Sequence, residues 1–165
     1  PAAINIGISW QGNPARKIDV SRSIPLAEFA PVAQVPGVRL ISLQKHSGLE
    51  QLARLPAGMV VHSPPQGFDD GPDAFVDTAA LMMGLDLVIA CDTSANHLAG
   101  ALGRPAWAAL KFVPEWRWGL DRGDSPWYPS LRLFRQAAPG DWHSVFTAMA
   151  AALRAEGPAL RSRRP

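Results

Sequence analysis

Three polar residues in a row, Asp92, Thr93 and Ser94, follow an apolar run and precede a helical pattern. The unpaired N–H groups and the dipole of a first helical turn attract anions, so this turn is a candidate phosphate site. His97 is one turn beyond Thr93, which predicts a side chain pointing toward the same opening and makes it a candidate catalytic group. The alternative is that Asp92 or Thr93 only caps the helix. Because a cap needs one such residue, three in a row favour a ligand.

A second polar group lies in the loop after the first apolar run, residues 11–23. Its candidate binding residues are Gln11, Gly12, Asn13, Lys17, Arg22 and Ser23. Lys17 and Arg22 can pair with a diphosphate, and Gly12 permits close approach of the backbone. The loop contains neither the dinucleotide pattern GxGxxG nor the phosphate loop GxxxxGK[ST]. The alternative is a solvated loop with ordinary charges.

Two further segments add candidate contacts. Gln44 and Lys45, at the end of an apolar run, are candidate hydrogen-bond donors to a ribose or a base. Trp116 and Arg117 belong to the Trp-rich segment 112–130, where aromatic rings beside charges suit a sugar, a base or a partner domain. The alternative is that these rings cap the end of the sheet. The histidines share no ligand spacing with one another or with a cysteine, so we predict no metal site.

Six apolar runs alternate with helical patterns along the chain. The predicted strands are 4–10, 38–44, 59–62, 86–91, 105–111 and 131–136. The predicted helices are 25–35 (opened by Ser23 as N-cap and Pro25 in the first turn), 47–55, 73–85, 93–102 and 141–156. Continuous rather than alternating apolar strands indicate an α/β fold, a doubly wound parallel six-stranded Rossmann-like sheet of order 3-2-1-4-5-6. Ligands bind where the winding reverses, which directs attention to loops 11–23 and 92–97.

Composition sets further limits. Hydrophobic residues make up 47% and charged residues 18% of the 165 residues, which excludes a disordered chain. The net charge is only +2 and four basic residues crowd into the last twelve positions, so nucleic-acid binding is not expected. We see no signal peptide and no membrane span, and the single Cys91 is expected to be buried, which fits a cytoplasmic protein. The absence of an initial Met predicts a fragment or a processed product.

The segment 77–136, with "CDTSANHLAGALGRP" at its centre, resembles the C-terminal half of bacterial glycosyltransferase family nine, the heptosyltransferase-like proteins. The stretches "GISWQGNPARKIDVSRSIPL" and "LISLQK" extend the resemblance to residues 4–155. It is strongest to the version attached to tetratricopeptide-repeat proteins. The resemblance implies the C-terminal, donor-binding half of a GT-B architecture. The chain would then divide into a nucleotide-sugar-binding domain, 1–156, and a flexible basic tail, 157–165.

The resemblance also implies chemistry. Asp92, Thr93 and Ser94 match the diphosphate-binding turn, His97 matches its accompanying histidine, and Lys17 matches the basic residue that meets the donor phosphates. The implied reaction is sugar transfer from a nucleotide-diphosphate sugar, independent of metal and of any cofactor. The implied partner is an N-terminal domain or repeat region of the same protein. Since the family's catalytic base lies in that other domain, we expect this chain to be inactive alone.

One departure from the family pattern bears on the donor. The family has an acidic residue just after strand two that holds the ribose, whereas this chain reads "LQKHSGLE", with Glu50 as a distant match. The base and the sugar of the donor therefore stay open. Two alternatives also stay open: a non-catalytic scaffold that has lost donor binding, and another nucleotide-binding enzyme, such as an epimerase of GT-B ancestry.

Overall fold

The computed structural model describes residues 3–15 and 21–161 and consists of one parallel sheet covered on both faces. The strands are β1 (Ile4–Ser9), β2 (Val38–Ser42), β3 (Val61–His62), β4 (Leu87–Cys91), β5 (Ala106–Leu110) and β6 (Leu131–Arg135). Their order is β3-β2-β1-β4-β5-β6, and every neighbouring pair is parallel. The predicted class and strand order are confirmed. The strands β4 and β5 are buried at every position, as expected for a sheet covered on both sides.

The described ranges also form four α-helices and three 3₁₀ segments, and the last helix follows the final strand. The helices are α1 (Ala30–Ala33), α2 (Val76–Met83), α3 (Ser94–Ala101) and α4 (Trp142–Arg161). The 3₁₀ segments are Leu26–Phe29, Leu49–Arg54 and Trp116–Trp118. Helices α1 and α4 cover one face of the sheet, where the rings of Phe29 and Phe146 lie 4.3 Å apart. Helices α2 and α3 cover the other face, on which Met82, Ala95 and Ala99 are buried.

The structure corrects the predicted helix 25–35. It is a 3₁₀ turn followed by a single α-helical turn, because Pro31 at the start of α1 supplies no N–H group and Pro36 follows its end. Ser23 does not cap it. Pro25 occupies the N-cap position, and the Ser23 hydroxyl accepts a hydrogen bond from the Gly12 N–H at 3.1 Å instead. The predicted helix 47–55 is likewise a 3₁₀ segment.

Helix α4 extends beyond its predicted end at residue 156. Leu160 is buried, and a side chain at Gly157 would place its Cβ 2.8 Å from Ile4 Cδ1, so this last turn packs closely against β1. Glu156 pairs with Arg132 at 2.7 Å. Residues 157–161 are therefore helical rather than part of a flexible tail, because they bury apolar surface on the sheet. Residues 162–165 lie outside the described residues, and the division into a domain and a tail stays a prediction.

Candidate functional site

A cleft of about 530 Å³ lies at the carboxyl edge of the sheet, where β1 and β4 meet and the winding reverses. Its lining includes eight of the residues singled out in the sequence: Gln11, Gly12, Asn13, Arg22, Gln44, Lys45, Thr93 and Ser94. The remaining lining residues are Ser9, Leu43, His46, Ser47, Asp69, Ala74, Phe75, Thr78 and Ala95. The loops after β1, β2, β3 and β4 thus converge on one opening, as parallel strands require.

The first turn of α3 forms one end of the cleft. Thr93 is the N-cap residue in an extended conformation, but its side chain makes no capping hydrogen bond. Its hydroxyl donates instead to the Cys91 carbonyl at 3.3 Å. The structure therefore does not support the alternative explanation that Thr93 caps the helix. The N–H groups at the start of α3 keep their partial positive charge toward the cleft.

Asn96, which was not among the predicted site residues, fixes the orientation of this turn. The side chain is buried and donates from Nδ2 to the Cys91 carbonyl at 2.8 Å. That bond ties the first turn of α3 to the end of β4. A buried amide donor at this position keeps the helix start in register with the strand, so the turn is held in place before any ligand arrives.

Arg22 brings a positive charge to the same end of the cleft. Its Nη1 donates to the Asp92 carbonyl at 3.0 Å, which links the loop after β1 to the loop after β4. Nearby, the Gly12 N–H is held by Ser23. The guanidinium thus lines the cleft beside the N-terminus of α3. A cation and a helix N-terminus next to each other attract a dianionic group such as a diphosphate.

Gln44 sits at the centre of the hydrogen bonds below the cleft. Its Oε1 accepts from the N–H groups of Trp10 and Gln11, each at 3.0 Å, and from the Ser9 hydroxyl at 3.2 Å. Its Nε2 donates to the carbonyls of Gln11 at 2.8 Å and Ser47 at 2.9 Å. Both amide hydrogens are used within the protein. Gln44 therefore positions the loops after β1 and β2. Its role as a hydrogen-bond donor to a ligand stays a prediction, although both of its amide hydrogens are bonded to carbonyls of the protein.

Lys45 links the loop after β2 to the loop after β3 at the other end of the cleft. Its Nζ donates to the Asp69 carbonyl and pairs with Asp70 at 3.0 Å. Asp69 in turn caps α2: its carboxylate accepts from the N–H groups of Asp77 and Thr78 and from the Thr78 hydroxyl. The Asp69 N–H in turn donates to the Asp77 carboxylate at 2.9 Å. These bonds hold the loop between β3 and α2 in place at the edge of the cleft.

The capping of α2 makes stability depend on pH. Burial raises the pKa of Asp69, but the bonds from Thr78 and the Asp77 N–H, with the charge of Lys45, outweigh it and hold the pKa below its ordinary value. A depressed carboxyl pKa stabilises the fold above the unfolded value, and this contribution is lost as pH falls through the folded value. We expect Asp69→Asn to cost about 1 kcal/mol at pH of about 6, because the amide has one acceptor oxygen where the carboxylate uses two.

Urea unfolding at pH of about 6 and about 3 measures this. The difference in free energy of unfolding between wild type and Asp69→Asn should narrow at the lower pH, because below the unfolded pKa of an aspartate the unfolded state takes up a proton that the folded carboxylate resists. Asp73→Asn is the matched control, since Asp73 is an exposed acid of the same loop. A gap that is equal at both pH values, or an equal loss in the control, would contradict the assignment.

Five predicted site residues do not line the cleft: Ser23, Asp92, His97, Trp116 and Arg117. Lys17 lies outside the described residues. The expectation that His97 points to the same opening as Thr93 is not met: its Nδ1 lies 3.1 Å from the Tyr128 hydroxyl, and its ring stacks on Trp118 at 5.3 Å. The reason is local. Thr93 is extended, so the helical spacing does not run from it. The catalytic role of His97 stays a prediction.

The Trp-rich segment has a buried inner part and an exposed outer part, and its contact with a sugar, a base or a partner stays a prediction. Trp118 is fully buried against the sheet, whereas Trp116 is 72% exposed. The exposed ring meets Trp127 edge-on at 6.3 Å, and Arg117 lies over it at 5.1 Å. Tyr128 packs against Gly100, where any side chain would collide with its ring. The inner part of the segment thus caps the sheet and the outer part presents aromatic surface to solvent.

The far end of the cleft, with Asp69, Ala74, Phe75 and Thr78, was not predicted. Asp69 lies in residues 63–72, which their Pro, Gly and Asp content predicts to be a loop, whereas Ala74, Phe75 and Thr78 fall within the predicted helix 73–85, which begins at Val76 in the structure. The available signal was length: a polar connection of more than ten residues is uncommon unless it carries function. Among the described residues, no three His, Cys, Asp or Glu side chains are arranged to hold a metal ion. None of the described helices has the length and apolar character to cross a membrane.

Comparison with known proteins identifies one curated relative and several structures of the same fold. The chain is 32% identical to protein FlbA of Caulobacter vibrioides over 154 residues, which are 90% of this chain and 25% of that protein. The chain thus spans about a quarter of the length of its relative. No protein-family model matches the chain.

The structural neighbours are glycosyltransferases. The Escherichia coli heptosyltransferase WaaC with ADP-2-deoxy-2-fluoro heptose has a TM-score of 0.60 at 17% identity, over 95% of this chain and 44% of WaaC. The glycosyl transferase family 9 protein from Veillonella parvula has a TM-score of 0.61 at 14% identity, over 97% and 47% of the two chains. The six-stranded parallel sheet with flanking helices matches the C-terminal, GT-B-like domain of glycosyltransferases.

Proposed function

We propose that this chain is the donor-binding half of a metal-independent GT-B glycosyltransferase and that its cleft holds the diphosphate of a nucleotide sugar. One observation carries the proposal: the start of α3 lacks a side-chain cap from Thr93 and lies beside Arg22 in a cleft at the reversal of the winding. The sheet has the GT-B fold, and one structural neighbour is a heptosyltransferase with ADP. The cytoplasm is the proposed compartment.

The contrast between two helices supports this position for the diphosphate. Helices α2 and α3 both begin at the edge of the cleft. The start of α2 already holds a carboxylate, that of Asp69, whereas Thr93 leaves the start of α3 without a side-chain acceptor. An added anion therefore gains more at α3 than at α2, where it would meet a negative charge.

The chemistry assigned to this half is charge stabilisation. As the bond between sugar and diphosphate breaks, negative charge grows on the leaving nucleotide diphosphate. Arg22 and the N–H groups of α3 would stabilise that charge without a metal ion, and Lys17 is proposed to join them. The acceptor and the catalytic base would come from a second domain of the same protein, so the isolated chain would bind donor but transfer no sugar.

A binding panel tests the proposal. Thermal unfolding of the chain should be measured with ADP, GDP, UDP, TDP and inorganic pyrophosphate. A ligand at a hundred times its Kd adds about 2.7 kcal/mol to the free energy of unfolding, which raises Tm by several degrees. We expect a shift with at least one nucleoside diphosphate, and AMP serves as the control that lacks the second phosphate. No shift with any member would refute donor binding.

A non-catalytic interaction domain is the second candidate, and one observation favours it. Val113, Trp116, Leu120 and Trp127 are each more than half exposed and lie within fifteen residues of one another. Exposed apolar groups so close together are typical of partner surfaces. In this reading a repeat region or another domain of the same protein covers them. A flat binding panel would favour the interaction domain over the transferase half.

A further inference from the structure

Left-handed backbone conformations concentrate around the cleft. Four non-glycine residues of the described chain have positive φ: Ser21, His46, Asp69 and Phe75. The last three line the cleft, and Ser21 is next to Arg22, which lines it too. Non-glycine residues are held in this unfavourable region only when the surrounding structure compels it, and such residues cluster at binding sites.

Phe75 is the exceptional member of this group. Aspartate and histidine tolerate the left-handed region, and Asp69 also has its capping bonds to explain its position. A phenylalanine with φ of 71° has no such tolerance. Phe75 is also the N-cap residue of α2, where its side chain has no atom to accept the helix N–H groups.

Packing does not explain Phe75 either. Its side chain is 47% exposed, so the ring contributes only part of its apolar surface to the core. Glycine or asparagine would suit both the conformation and the capping position better. A residue that is unfavourable for the backbone, for the helix end and for solvation, yet lines a cleft, points to a ligand that covers its ring.

The position of Phe75 in the cleft indicates which part of a ligand would cover its ring. The start of α3, after β4, is the phosphate end of the cleft, and Phe75 follows β3 on the opposite side of β1. In doubly wound folds the nucleoside extends from the phosphates toward the β2 side of the reversal. The base, rather than the sugar beyond the diphosphate, therefore reaches Phe75.

The carboxylates at this end of the cleft already have partners within the protein, so aromatic stacking is the contact that we expect a nucleobase to make here. The Asp69 carboxylate is used in capping α2, and Asp70 is paired with Lys45. Glu50, the distant match for a ribose-binding acid, is exposed and does not line the cleft. A flat aromatic face offers dispersion and stacking to any nucleobase without a hydrogen bond.

We propose that the Phe75 ring is the surface on which the nucleobase of the donor stacks. This inference rests on the proposed function and adds a specificity-determining residue to it. Removing the ring should weaken binding of a nucleotide and leave binding of its diphosphate alone unchanged. It should not destabilise the fold, because the left-handed conformation is relieved at the same time.

Calorimetric titration with ADP and with inorganic pyrophosphate tests this on wild type, Phe75→Gly, Phe75→Tyr and the control Val76→Ala. Val76 is exposed on the same helix but does not line the cleft. We expect Phe75→Gly to lose about tenfold or more in ADP affinity, to keep its pyrophosphate affinity and to unfold at no lower Tm. Phe75→Tyr and Val76→Ala should bind ADP like the wild type.

The outcomes separate the two proposals. If the wild type binds neither ADP nor pyrophosphate and the other members of the panel also fail, the proposed function and this inference fall together. If the wild type binds ADP and Phe75→Gly binds it equally well, only the stacking role is overturned. A parallel loss of ADP and pyrophosphate affinity would also overturn it, since Phe75 would then shape the whole cleft. Should Phe75→Gly not fold, Phe75→Leu carries the same comparison, because it removes the ring and keeps an apolar side chain.

Discussion

Replacing Thr93 by leucine is expected to weaken ADP binding by at least about a hundredfold, or about 2.7 kcal/mol. Thr93 lines the cleft at the N-cap position of α3, so a longer apolar side chain there would occupy the space in front of the N–H groups of the first turn. A diphosphate then loses both the hydrogen bonds and the attraction of the helix end. The binding energy lost is that of several charge-assisted hydrogen bonds, not of one.

The fold should survive this change. Thr93 is extended, a conformation that leucine adopts freely, and the hydroxyl makes one long bond to the Cys91 carbonyl at 3.3 Å. We expect a loss of at most about 1 kcal/mol, or a few degrees in Tm. Thr147→Leu is the matched control, since Thr147 is exposed on α4 and does not line the cleft. ADP affinity that Thr93→Leu leaves intact would place the diphosphate elsewhere.

Replacing Gln44 by methionine is expected to lower the free energy of unfolding by about 3 kcal/mol. Methionine has a similar size but neither an amide oxygen nor an amide hydrogen. The N–H groups of Trp10 and Gln11 and the carbonyl of Ser47 would lose their partner in a part-buried environment. Leaving such groups unsatisfied costs more than the net value of the bonds themselves.

Urea unfolding of Gln44→Met beside Gln34→Met measures this loss. Gln34 is exposed and follows α1, so the same exchange there should change the free energy of unfolding by less than about 0.5 kcal/mol. ADP affinity of folded Gln44→Met should also fall, because the loops after β1 and β2 lose their common anchor. A stable variant with reduced ADP affinity would instead make Gln44 a direct contact of the ligand.

The sheet was predictable because its strands are continuous apolar runs. Such runs as residues 86–91 and 105–111 are buried on both faces, and the right-handed crossover rule leaves few possible strand orders. The type of the short helices was not predictable, since a proline changes a turn from α to 3₁₀ without changing the apolar pattern around it. Pro31 in the segment 25–35 shows this.

The site was predictable where it depends on topology and not where it depends on side-chain direction. Thr93 and Gln11 lie in the cleft because the strands before them, β4 and β1, are neighbours. His97 does not, because a single extended residue at the start of α3 shifts the helical phase. Phe75 escaped notice because a left-handed backbone conformation at a phenylalanine leaves no mark in the pattern of residue types along the sequence.

The place where the winding reverses also governs the kinetics of folding. The two central strands are far apart in the chain: the Asn5 N–H donates to the Asp86 carboxylate across 81 positions. Closing so long a loop costs conformational entropy before any stabilising contacts have formed, so we expect the pairing of β1 with β4 to be a slow step in assembling the sheet. The cleft exists only after that step. A ligand that bridges the loops after β1 and β4 would therefore bind too late to accelerate folding and would lengthen the lifetime of the folded state instead.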